Sequence, residues 1–359
     1  MKKSYSFLIL ILFLFLNQCS VKEVTIQPIE RTVGKLQISV DPRMEILSTV
    51  QLLSNYPVIS RDEAYSKDIL NYFESFSSHE AVKMTDSLLQ KYGFAFDAPV
   101  AFMLFLSQPP ELEQKITFTD YLMERSGRGD NLEQYRKSIK RFAEISNFET
   151  FWNSKIPFYN QILDLTITDI GEIDLIKVLE DYFNEAFDDY FVTISPAFTG
   201  GFAPMLPNTC GKDIIYCCLP TTDIKNDIPY MDRIGLSSFV WHEFGHSFVN
   251  PLTDKYSDRV SSLNKLYEPI KEEMSKMAYP AWSHCLNEHI IRAVVIRLFE
   301  LHIDSQQSKE LLEIELEKHF IYIEPLIEIL KDFENKRNTN NITFSEFYPE
   351  LLNVLDALQ

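Results

Sequence analysis

The residues best equipped for chemistry fall in one stretch, Ser238-Phe239-Val240-Trp241-His242-Glu243-Phe244-Gly245-His246-Ser247-Phe248-Val249-Asn250-Pro251. His242 and His246 are four positions apart. On a helix that spacing sets both imidazoles on one face, one turn from each other. A divalent ion such as zinc takes nitrogen ligands at about 2.0–2.1 Å, so two such histidines can reach one ion without bending the backbone. Glu243 would lie beside that ion without ligating it, in reach of a proton on a water held there. The competing reading is a buried helix whose two histidines are satisfied by hydrogen bonds inside a core.

The flanks describe the helix that must carry these groups. Phe239, Val240, Phe244, Phe248 and Val249 are apolar, as a helix buried on most sides requires. Ser237 or Ser238 can cap its start, and Pro251 is expected to stop it. The pattern is H-E-x-x-H, and the stretch resembles the zinc metallopeptidases called zincins. That resemblance implies a helix, a small sheet and then the motif helix in chain order. It also implies a sheet edge that holds substrate as an added strand, for which residues 200–206 are the expected segment, an ordinary surface loop being the alternative.

A catalytic zinc needs a third protein ligand, with one position left for water. Metzincins place that ligand six residues after the second histidine, behind a glycine. Those positions here are Leu252 and Val249, so that subclass does not apply. Gluzincins use a glutamate on a later helix, often within Asn-Glu, and Asn287-Glu288 is similar. The resemblance therefore points to Glu288, with His289, His284 and Asp254 as alternatives. Asn250, one turn past His246, is placed to bond the far nitrogen of a ligand histidine. Arg292, one turn past Glu288, is placed to pair with its carboxylate. Known gluzincins carry an aspartate at that place. Such enzymes also use a tyrosine or histidine to donate to the oxyanion, and Tyr230, Tyr267 and Tyr279 are the candidates.

Composition bounds the rest. The 359 residues are 45% hydrophobic and 13% aromatic, as in an ordered globular protein large enough for two subdomains. A formal net charge of -18 argues against nucleic acid as a partner, because phosphate binding needs a basic patch. Lys2 and Lys3 precede an unbroken apolar run from Phe7 to Leu16, which reads as an export signal over residues 1–19. Leu16-Asn17-Gln18-Cys19 resembles a bacterial lipobox, with Cys19 as the lipidated residue, although Gln18 departs from the small residue usual there. Cys217 and Cys218 are adjacent in an expected strand and should point to opposite faces, so they are expected as buried thiols that do not pair with each other.

The expected class is α+β and mostly helical. Residues 20–40 read as a tether and a short strand, 41–165 as a helical subdomain, 166–335 as a zincin-like catalytic subdomain and 336–359 as a last helix. Within them, helices are expected at 62–76, 79–92, 98–106, 131–146 and 148–162, and strands at 188–195 and 213–219. His79 reads as a structural or capping residue. Residues 252–262 read as a polar loop, and Thr343-Phe344-Ser345-Glu346 as a capping box. The whole chain also resembles an uncharacterised family of bacterial lipoproteins with a domain of unknown function, through Asp41-Pro42-Arg43-Met44-Glu45-Ile46 and the His-Glu-Phe-x-His core.

Together these readings lead to the expectation of an exported zinc metallopeptidase of the bacterial envelope, lipid-anchored to the outer membrane and acting on peptides or proteins. The alternatives are a non-catalytic envelope lipoprotein that binds a metal or partner, and a helical scaffold without metal. Glu243 argues against the first alternative, since a pure binding site does not need it.

Overall fold

The computed structural model describes residues 26–204, 206–207 and 212–359. The export signal, Cys19 and Cys210 lie outside the described residues. The chain is mostly helical, with a four-stranded sheet and a two-stranded hairpin. The α+β expectation holds.

The larger sheet has the order β1 (Ile29–Val33), β2 (Leu36–Val40), β3 (Asp189–Ile194), β4 (Ile214–Leu219). β1 and β2 form an antiparallel hairpin, while β2–β3 and β3–β4 are parallel. Parallel strands are normally covered on both faces, which is why β3 and β4 read as near-continuous apolar runs. Cys217 and Cys218 are both fully buried and free, one towards each face. Part of the segment expected as a tether is thus β1. Its turn depends on Gly34, at φ +58, where an added Cβ would sit 2.9 Å from Asp174. The small hairpin pairs β5 (Asp223–Lys225) with β6 (Ile228–Tyr230).

Because β2 sits between β1 and β3, the N-terminal part and the later part share one sheet. Their buried apolar side chains form one continuous core from Ile26 to Leu355. The boundaries drawn near 165 and 335 fall inside the helices Phe148–Ile170 and Ile323–Asn340. Residues 252–262 are not a loop. The motif helix continues to Lys255 and a short helix, Ser257–Ser262, follows with Val260 in the core. The local caps are as expected: the His79 ring nitrogen accepts from the Ala81 amide, and Thr343 with Glu346 forms the capping box.

Asp41-Pro42-Arg43-Met44-Glu45-Ile46 opens the first helix, Pro42–Leu53. Asp41 caps it by accepting from the Arg43 amide, and the Arg43 guanidinium returns to the Asp41 carboxylate at 2.6 Å. Glu45 is fully buried. The Tyr65 hydroxyl donates to it, and Tyr65 in turn shares a 2.6 Å hydrogen bond with Tyr159. Burial pushes the Glu45 carboxyl up to about 7. The folded chain therefore holds a proton there that the unfolded chain releases at about pH 4.5, and stability falls as pH rises between those values. The expected loss is on the order of 3 kcal/mol across that window. Glu45→Gln should flatten this slope. Denaturant midpoints at pH 5, 6 and 7.5 check it, and an equally steep slope in the variant would remove Glu45 as its source.

Candidate metal centre

The motif helix spans Arg233–Lys255. It begins earlier than Ser237 or Ser238 because Asp232 caps it, accepting from the Ile234 and Gly235 amides at 3.2 Å. It also runs through Pro251. The missing amide and ring clash of a proline disfavour that continuation, but the last turn is held from outside. Leu252 is buried, and the Thr253 hydroxyl donates to Asn287 and shares a 2.6 Å hydrogen bond with Tyr348. Tertiary contacts here override the local signal.

The helix's apolar side is fixed before its polar side is considered. Trp241 is fully buried and donates from its indole to the Leu175 carbonyl at 3.0 Å. Phe248 stacks on Phe183 with ring centres 4.3 Å apart, and Phe244 packs against Tyr190 of β3. His242, Glu243, His246 and Asn250 are left facing a cleft of about 500 Å3.

A second helix, Trp282–His302, crosses the first. Gly245 permits the close approach, since a Cβ there would come within 3.2 Å of Ile291. The crossing delivers Glu288 to the histidines. His242 Nε2 lies 3.5 Å from Glu288 Oε2, and His246 Nε2 lies 3.4 Å from Oε1. Among the described residues these three side chains form a possible metal-binding triad, with donor atoms all within 4.8 Å of one another. The separations are longer than N–H···O hydrogen bonds. They match two ligands about 2.0–2.1 Å from a shared tetrahedral ion, which stand about 3.3 Å apart. The donor set therefore fits a divalent cation.

The protonation states suit that role. Asn250 Oδ1 is 3.2 Å from His246 Nδ1. A proton on Nδ1 donates to it and leaves the Nε2 lone pair turned to the site. Burial pushes His242 down to about 3 against the pull of Glu288, so its imidazole is neutral at ordinary pH. Burial works against the Glu288 carboxylate, yet the charged Arg292 that donates to it holds it ionised, below the usual carboxylate range. Arg292 donates to Glu288 at 3.0 Å and to Glu315 at 2.6 Å, and its guanidinium lies over the Phe320 ring. Glu243 has no hydrogen-bond partner among the described residues, and burial pushes its carboxyl up to about 7. The backbone of Gly201 passes against it, where a Cβ would sit 2.7 Å from Oε1.

The alternative third ligands lie apart from the donors. His289 is buried among Trp282, Phe320 and Tyr322, with Nδ1 2.7 Å from the Cys285 carbonyl. His284 is exposed at the start of its helix, and Asp254 lies in the cleft outside the triad. Of the three tyrosines, Tyr279 lines the cleft beside Glu288 and Arg292. Tyr267 donates to the Tyr279 carbonyl at 2.8 Å. Tyr230 lies in β6, bonded to Asp223 and away from the cleft. The segment at residues 200–206 meets the sheet: Phe202 exchanges two backbone hydrogen bonds with Cys218 of β4, and residues 201–203 line the cleft. Phe96 and Asp97 form another wall; Phe96, which reads as a core aromatic, is instead half exposed there. Gly201 lies in the 200–206 segment expected as the substrate edge.

Residues 36–354 match a family described as "Domain of unknown function (DUF4932)". The chain belongs to this family. No curated protein and no solved structure matches it. For this DUF4932 chain the family supplies no chemistry, so any function must be argued from the side chains. Asn250→Ala should lower divalent-cation affinity by about 10–100-fold, because the Nδ1 proton loses its acceptor. Competition titration against a chelating dye reads the affinity, and an unaltered value would show that Asn250 does not orient His246.

Proposed function

We propose that this protein is a zinc-dependent peptidase, a hydrolase of peptide bonds in the bacterial cell envelope. The observation that carries the reading is one arrangement: two histidines and a buried, ionised glutamate converge at ligand spacing, with an unpartnered carboxylate beside them in an open cleft. Neutral imidazole and carboxylate donors suit zinc, and all three donor residues line the cleft. A pure binding site has no use for Glu243.

When bound, the ion supplies Lewis acidity, polarising the scissile carbonyl and acidifying water. The protein's own groups do the rest. Glu243 takes a proton from the attacking water and returns it to the leaving amine. Gly201 leaves room for that carboxylate, since a Cβ there would sit 2.7 Å from Glu243 Oε1. His242, His246 and Glu288 are held by burial, by Asn250 and by Arg292, so little reorganisation accompanies reaction. Tyr279 is the residue placed to donate to the developing oxyanion. The Phe202 stretch along β4 is placed to hold substrate through its main chain. Lys2, Lys3 and the apolar run before Cys19 support export and a lipid anchor at Cys19, with the fold held at the outer membrane.

Zinc content and peptide hydrolysis test the reading together. The parent should bind one zinc per chain, and His242→Ala and Glu288→Ala should each lose most of it. Glu243→Gln should keep the zinc while hydrolysis of a quenched-fluorescence peptide library drops by about 10²–10⁴-fold. Equal hydrolysis by parent and Glu243→Gln would falsify the assignment of Glu243. Full zinc retention in Glu288→Ala would remove the third ligand.

A further inference from the structure

The cleft walls are one-sided in charge. Four carboxylates line it, from Asp97, Glu243, Asp254 and Glu288, and among the described residues no lysine or arginine does. Three of the four are already committed. Glu288 belongs to the donor triad and is paired with Arg292. Glu243 is the proposed proton carrier. Asp97 accepts from the Tyr121 hydroxyl at 3.0 and 2.9 Å, and Arg125 donates to that same hydroxyl. Asp254 is different. It is exposed and forms no ion pair among the described residues. The neighbouring Lys255 is drawn to the Tyr256 ring, at 5.3 Å, and does not line the cleft.

Its place in the motif helix gives a second, independent reason to single it out. Asp254 lies in the last turn, the negative end of the helix dipole, where a carboxylate is disfavoured. A local rule broken on a cleft wall points to use by a ligand. The dipole and the carboxylate add, and both are strongest at that end of the cleft. Helical rise puts Asp254 about 12 Å beyond His246 along the axis, the span of three to four residues of an extended chain. Apolar surface from Phe96, Phe202 and Met277 completes the walls, and Phe96 is half exposed although large.

We propose that the cleft selects cationic peptides, with Asp254 as the specificity-determining residue that holds a lysine, arginine or amino terminus three to four residues from the reacting bond. The proposal rests on the peptidase reading for what happens at the ion, but the preference itself is a property of binding. Among the described residues the same walls carry no lysine or arginine to pair with a free terminal carboxylate, so the cleft suits internal bonds or a chain entered from its amino end.

The test uses the full-length protein, zinc-loaded and carrying Glu243→Gln so that bound peptide is not turned over. Three acetylated, amidated peptides share one apolar middle and differ only in flanks of lysine, glutamine or glutamate. Fluorescence anisotropy at low salt should show the lysine peptide binding about tenfold more tightly than the glutamate peptide, with the glutamine peptide between, and the gap narrowing at high salt. Adding Asp254→Lys should abolish or invert the order. This exposed change separates the local carboxylate from the field of the -18 chain. Equal affinity for all three peptides, no binding of any, or an unchanged order in Asp254→Lys each overturns the proposal. If the order appears as expected but protein with Glu243 intact hydrolyses none of the peptides, the peptidase reading fails and the binding preference stands.

Discussion

The arrangement depends on burying the Glu288 carboxylate between two imidazoles. A charge taken out of water is unfavourable unless it is paired. Here the pairing runs outward in alternating sign. Glu288 meets Arg292, Arg292 meets Glu315, and Glu315 meets Lys318, which is half exposed. Each buried charge touches an opposite one, and the last reaches solvent. The helix that supplies Glu315, Ser305–Glu317, provides none of the three donors, yet it pairs the buried Arg292 that faces Glu288.

That electrostatic chain would be useless if the two long helices could slide. Two contacts between them fix their register, and others hold the motif helix from outside. Gly245 lets Ile291 approach the motif helix closely. Thr253 ties the end of that helix to Asn287, the residue just before Glu288, and to Tyr348 of the last helix. Trp241 and Phe248 anchor the far side to Leu175 and Phe183. Asn287 is therefore a strut at the crossing, and the Asn-Glu pair combines a packing role with the donor beside it. The geometry at the histidines follows from packing across the core, which is why residues from both ends of the chain share one hydrophobic cluster.

Where a feature is local, the sequence shows it. The one-turn spacing of His242 and His246, the β-branched and aromatic run of β3, the Thr343–Glu346 box and the His79 cap each depend on a few adjacent residues. The misreadings come from tertiary effects or short elements. Pro251 reads as a stop, but Thr253 and Leu252 gain enough from their partners to carry the helix past it. β1 is short and half polar, and only pairing with β2 makes it a strand. The β5–β6 turn did leave a local signal, Asn226-Asp227, both at positive φ, as a tight hairpin needs. The third donor was reached only through a resemblance. No periodicity shows that the Trp282–His302 helix crosses the motif helix at Gly245. The wall from Phe96 and Asp97 was less legible still, since these residues meet the histidines only in three dimensions.

Arg292 is where this chain departs from the enzymes its motif resembles, and the departure has a chemical meaning. A carboxylate behind a ligand histidine makes that histidine more basic and the ion less electrophilic. A guanidinium on the ligand carboxylate does the reverse: it withdraws charge from Glu288 and leaves a bound ion more positive. On the peptidase reading this favours polarising a carbonyl over tight retention of the metal. Glu315 opposes that withdrawal by drawing Arg292 the other way at 2.6 Å. The balance between the two carboxylates, set by how the Ser305–Glu317 helix packs, tunes the site from outside the cleft. The cation that Arg292 places behind the donors also sharpens the contrast across the site: positive behind Glu288, negative along the walls substrate must pass. On the peptidase reading, a field of that form would draw a cationic chain along the cleft towards the three donors.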